Sequence, residues 1–156
     1  MLKTLVFLVL AGALQNPVEA FKKEMTPLQA EVAKAVGDTG AQVMSPPKAA
    51  FLEGYGVVVS VSVALEPPAS LFSSSGVAGK DEVIRNVTRR QKDVKDKLTA
   101  MVKQRVTSME SVGAEESLTI VVHLENYNPR DVPNLPRQLI FSVTKSSPQT
   151  PSYKEI

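Results

Sequence analysis

Residues Asp38-Thr39-Gly40-Ala41 set a carboxylate, a hydroxyl and a glycine in consecutive positions. A carboxylate fixed in so tight a turn can act as a general acid or base, and two of them brought together share one proton and polarise a water for peptide hydrolysis. A second stretch, SSSGVAGKDE at 73–82, sits after an apolar run and before a helical one, where a phosphate-cradling loop would sit. It has Ser74 in place of the first glycine and Asp81 where a Ser or Thr would hold Mg²⁺, so a negative charge would face the phosphates. It reads as a flexible loop ending in a helix cap. His123 is the only histidine. No G-x-S-x-G elbow supplies it with a nucleophile and no D-x-D-x-D-G loop supplies a cation site, so neither a metal nor a cofactor is expected. Strand alternation puts His123 with Thr119, Val121 and Glu125 on the more polar side of its strand.

The chain opens MLKTLVFLVLAGALQNPVEA, with Lys3 as a basic start, an apolar stretch from Leu5 to Leu14, the breaker pair Asn16-Pro17 and small side chains at Val18 and Ala20. That is the form of a secretory signal peptide cleaved near Ala20. Its apolar core is shorter than the roughly 20 residues a bilayer needs. No later segment is long and apolar enough to cross a membrane, so the mature chain is expected to be periplasmic or secreted. There is no cysteine, which removes disulfides, thiolate nucleophiles and Cys-ligated metals together. The expected organisation is a signal peptide at 1–20, a single α+β domain at 21–145 and a disordered tail at 146–156.

Within the domain, Thr26-Pro27-Leu28-Gln29 has the form of a helix start, and a short helix is expected from Pro27 to about Val36, closed by Gly37. Val57, Val59, Val61, Val63 and Leu65 alternate with Val58, Ser60, Ser62 and Ala64, which predicts a strand with one core face. From Asp81 the period changes. Val83, Ile84, Val87, Val94, Leu98, Met101, Val102 and Met109 form one apolar stripe of a long helix, interrupted by Arg105. SLTIVVHLE and QLIFSVTK alternate again as strands, joined by the proline-bearing loop NYNPRDVPNLPR. The fold class is therefore α+β: an antiparallel or mixed sheet of three to four strands, one long amphipathic helix on a face, and a short N-terminal helix.

The DTGA stretch resembles the catalytic motif of the aspartic proteases, most closely the small retroviral-type enzymes. By that resemblance Asp38 would be the catalytic acid/base, with Thr39 and Gly40 holding paired carboxylates coplanar in a β-rich homodimer. The match covers four residues, follows a helical rather than a strand pattern, and lies in a chain whose centre is a long helix. The favoured reading is a non-catalytic binding or envelope-associated protein, with the protease as the alternative.

Net charge is only +2, so bulk electrostatics name no polyanionic partner. Locally, nine basic residues stand against four acidic ones between Lys80 and Arg105, and Arg85, Arg89, Lys92 and Lys103 fall on one helix face. Such a face suits anionic envelope components, or another exported protein. The absence of aromatic residues on that helix argues against nucleic acid.

Overall fold

A computed structural model of the chain describes residues 16–66, 79–126, 129–130 and 132–156. Residues 1–15 of the expected leader and 73–78 of the phosphate-loop lookalike lie outside them. The elements run α1 (Pro17–Gly37), β1 (Gln42–Val43), β2 (Lys48–Leu52), β3 (Gly56–Ala64), α2 (Lys80–Ser108), β4 (Ser117–Glu125), β5 (Gln138–Thr144) and β6 (Ser152–Glu155). The α+β class is as expected. The described sheet has six strands rather than three to four, and it is mixed.

At its centre β3 and β4 pair in parallel over nine positions, from Gly56↔Ser117 to Ala64↔Glu125. Parallel neighbours need a long crossover, and α2 lies in it. β4–β5 and β5–β6 are antiparallel. The other side of β3 is shared: β2 pairs with its first half and β1 with its last two residues.

Alternation then decides what each face holds. Val57, Val59, Val61 and Val63 of β3, Leu118, Ile120, Val122 and Leu124 of β4, and Leu139, Phe141 and Val143 of β5 all enter one core cluster. Both helices cover that face. From α2 the cluster takes Val83, Val87, Val94, Leu98, Val102 and Val106, spaced by fours and one seven, the repeat that keeps a helix stripe on one side. Val106 belongs to this stripe although the sequence reading passed over it, whereas Ile84 turns outward and is 36% exposed. Helix α1 contributes Phe21, Leu28, Val32 and Val36 on the same spacing.

Helix α1 is longer than expected. It begins at Pro17, capped by the Asn16 side chain, which accepts from the Val18 amide at 3.1 Å. Thr26-Pro27 lies inside it. The first turns are held by tertiary packing: Ala20 and Phe21 are buried, and the Phe21 ring sits 6.1 Å from that of Phe51 on β2. The expected cleavage position therefore falls within a helical turn. The tail, expected to be disordered, forms β6. Tyr153 stacks at 5.1 Å on Phe141 with the Lys95 ammonium 4.0 Å above its ring, so one aromatic anchor holds an otherwise polar strand.

Charged side chains fasten the connections. The Glu24 carboxylate accepts from the amides of Glu110 (2.7 Å) and Ser111 (3.3 Å) and from the buried Ser111 hydroxyl. Lys145 Nζ donates to the carbonyls of Met109 (2.6 Å) and Val112 (2.9 Å) in the same segment. Arg90 bonds the Leu65 carbonyl and the Glu66 carboxylate, each at 2.7 Å, tying α2 to the end of β3.

Gly56 fixes where the central pair begins. Its φ is +111°, and a Cβ there would lie 2.2 Å from the Ser117 carbonyl oxygen. Gly54 also has positive φ (+74°), but a Cβ there would meet nothing within 4 Å. Gly56→Ala is expected to cost about 3 kcal/mol in urea unfolding, combining backbone strain with a clash. Gly54→Ala, with strain alone, should cost about 1 kcal/mol.

Candidate functional site

The Asp38-Thr39-Gly40 turn terminates a helix. Asp38 caps α1, with its amide bonded to the Lys34 carbonyl at 2.9 Å. The Thr39 hydroxyl donates to the Val36 carbonyl at 2.6 Å, and Gly40 takes the positive φ (+76°) that lets the chain leave for β1. The Asp38 carboxylate is exposed and accepts from Lys34 Nζ at 2.7 Å. That hydrogen bond holds its carboxyl below the ordinary aspartate value, where a shared-proton dyad needs one member raised.

Arg85, Arg89, Lys92 and Lys103 lie on the side of α2 turned away from its buried stripe, whereas Arg90, Lys95 and Arg105 reach towards the sheet or α1. Arg85, Arg89 and Lys92 are exposed and Lys103 is half-buried. Asp96 falls on the same face, four residues after Lys92, and takes it in an ion pair at 2.6 Å. That contact keeps Lys92 protonated, raised above its ordinary range, and cancels part of the face's charge.

A different surface gathers more polar chemistry. None of the described elements packs on the second face of the sheet, and Val58, Val121 and Ile140, which point to it, stay outside the core cluster. The strand registers lay its residues out in rows. One row runs Lys48, Ser60, Val121, Ile140, Lys154 across β2, β3, β4, β5 and β6. The next towards the start of β3 runs Ala50, Val58, Thr119, Ser142, Ser152, and on the other side lie Ser62, His123 and Gln138.

These side chains bond to one another. His123 Nε2 is 3.1 Å from Ser60 Oγ, and its Nδ1 is 3.3 Å from Gln138 Nε2. With the Gln138 amide donating to Nδ1, the ring carries its proton on Nε2 and donates to Ser60. The Ser60 hydroxyl is then left to donate outward. Thr119 Oγ1 meets Ser142 Oγ at 2.8 Å and the Tyr55 hydroxyl at 3.2 Å, which lays the half-exposed Tyr55 ring along this face. Ser117 and Thr144 pair at 3.0 Å. Beside His123 a shallow depression of about 360 Å³ is lined by Ser45, Pro46, Lys48, Ser60, Ser62, His123 and Glu125.

Ser60 and His123 resemble part of a nucleophilic dyad only in distance. The group on Nδ1 is an amide, which cannot stabilise an imidazolium as a carboxylate does. Ser60 also lies mid-strand between β2 and β4, where neighbouring amides are committed to the ladders and none converge as an oxyanion hole. The arrangement can hydrogen-bond an acceptor-rich ligand across a flat surface. Among the described residues no group of three or more His, Cys, Asp or Glu is placed to hold a metal ion.

Of this surface, the sequence pointed to His123 and its polar neighbours on β4. It missed Lys48, Tyr55, Ser60 and Gln138, which reach His123's face only through strand pairing. The serines alternating with valines in β3 were the one available signal. No protein family model, no curated protein and no solved structure matches the chain.

Asp38 offers a direct check on the helix-cap geometry. NMR titration of its carboxyl should give a midpoint below the ordinary 3.8. Because the folded value is depressed, the stabilisation from Lys34 is present at neutral pH and fades as pH falls through that midpoint. A midpoint above the ordinary value would restore the paired-carboxylate reading.

Proposed function

We propose that this protein is an exported, non-catalytic binding module that associates with anionic material of the cell envelope through the uncovered face of its sheet. The observation that carries this reading is the set of hydrogen-bonded polar clusters on that face. Hydroxyl, imidazole and amide groups are fixed by mutual hydrogen bonds, with exposed lysines at both margins. A surface ordered in the free protein has its side-chain entropy already spent, which favours binding.

Export is supported by the basic, apolar and small-residue pattern of the first 20 residues. Among the described residues no helix is long and apolar enough to cross a membrane. Cleavage after Ala20 would open α1 at its second turn yet keep Leu28, Val32 and Val36, with Thr26-Pro27 available as the new start. Mass spectrometry of the exported chain should then find Phe21 as the first residue. A chain that keeps residues 1–20 and stays in the cytoplasm would remove the export half of the proposal.

The rival to this reading is the exposed face of α2, where Arg85 and Arg89 have no ion-pair partner among the described residues. Sedimentation with isolated cell-envelope material at low salt separates the two. Val121→Glu with Ile140→Glu should lower retention at least fivefold. Charge reversal at Arg85, Arg89 and Lys92 should lower it less than twofold. The opposite ranking transfers the function to α2, and full retention by both variants refutes surface binding.

A further inference from the structure

Taking the uncovered face as the binding surface, we infer that its ligand is an acidic polysaccharide strand lying across the sheet along the Lys48–Lys154 row.

Charge gives the first reason. Lys48 and Lys154 are exposed on the two outer strands of one row, four strand spacings apart, or roughly 19 Å at the usual 4.8 Å. No ion pair holds either lysine among the described residues. Among the described residues Glu125 is the only carboxylate lining the depression beside Lys48. Anionic groups spaced along a linear ligand could meet both ammonium groups at once, a multivalent gain that a single small anion cannot have.

The ground beside the row gives the second: between the lysines lie Ser60, Val121 and Ile140, and the depression opens next to Lys48. Ser60 and Ser62 at the depression can each exchange a hydrogen bond with a polyhydroxylated ligand; with Gln138 donating to His123 Nδ1, His123 has both ring nitrogens engaged and leaves Ser60 its proton to donate. Tyr55, 48% exposed and held by Thr119, offers a ring face at one side of the array. The depression is shallow and mostly polar, which suits sugar rings better than a lipid chain or an apolar helix.

A second copy of this chain fits less well. In the aligned stacking usual for two sheets, a two-fold axis through the centre of this row, along or across the strands, sets these lysines against lysines. Like charges brought together in this way oppose association.

The test is affinity electrophoresis of the purified mature protein through gels holding polygalacturonate, neutral dextran or no polymer. Sedimentation with phosphatidylglycerol vesicles and analytical ultracentrifugation run beside it. Retardation by polygalacturonate alone is expected. The Kd should rise at least tenfold for Lys48→Ala with Lys154→Ala and at least threefold for Tyr55→Ala, while Arg85→Ala with Arg89→Ala, on the helical side, changes it less than twofold. Circular dichroism establishes that each variant is folded. Equal retardation by dextran, no loss in the lysine double variant, binding to vesicles alone, or a dimer that occludes the face would each overturn the inference. If polygalacturonate is ignored while Val121→Glu with Ile140→Glu still abolishes envelope retention, only the ligand class falls. If that variant is retained as well, the binding surface falls with it.

Discussion

The nine-position parallel pairing of β3 with β4 is the constraint on which the rest of the structure depends. Parallel neighbours cannot be joined by a tight turn, so the chain between them must travel, and α2 uses that travel to cover one face of the sheet. Two strands in parallel register also carry their alternation in phase. Valines of β3 and branched side chains of β4 face the helices together, and Ser60, Ser62, Thr119 and His123 are left together on the other side. The core and the candidate site are thus two consequences of one pairing.

The points at which the chain enters and leaves this pair are held by charge as well as by packing. Glu116 bonds the amides of Gly54 (3.1 Å) and Gly113 (2.8 Å), joining the turn before β3 to the turn before β4. Glu24 holds the amides and Lys145 the carbonyls of the segment after α2, and Arg90 with Glu66 grips the end of β3. The carbonyls of the buried Leu65, Met109 and Val112 and the amide of the buried Ser111 would otherwise lack partners, at a cost comparable to the bonds themselves. A chain without disulfides has used ionised side chains on neighbouring elements to close its loops.

The core strands and α2 were legible in the sequence because their signals are local. Period-two runs of β-branched residues and fourfold apolar spacing say what each segment is. Strands β1, β2 and β6 were not. β1 is two residues long, β2 follows two prolines, and β6 relies on Tyr153 meeting Phe141 and Lys95 from elsewhere in the chain. The start of α1 was misplaced because Thr26-Pro27 spells a helix start, while the pairing of Phe21 with Phe51 that orders the preceding turns is tertiary. Asp38-Thr39-Gly40 shows the reverse case, in which a legible chemical motif proves to be the end of a helix. The candidate site was nearly invisible, since Ser60 and His123 are 63 residues apart and meet only through the parallel register.

Among the described residues the sheet is covered on one side and open on the other, which makes a binding reading physically sensible, because polar groups fixed on a rigid layer need no rearrangement to meet a ligand. Since the chain has no cysteine of its own, single cysteines placed along β4 report this asymmetry directly. In the native protein a thiol reagent should modify Val121→Cys within minutes and should reach Ile120→Cys and Val122→Cys only on unfolding. Equal protection at all three positions would show a further layer over the second face and contradict the account.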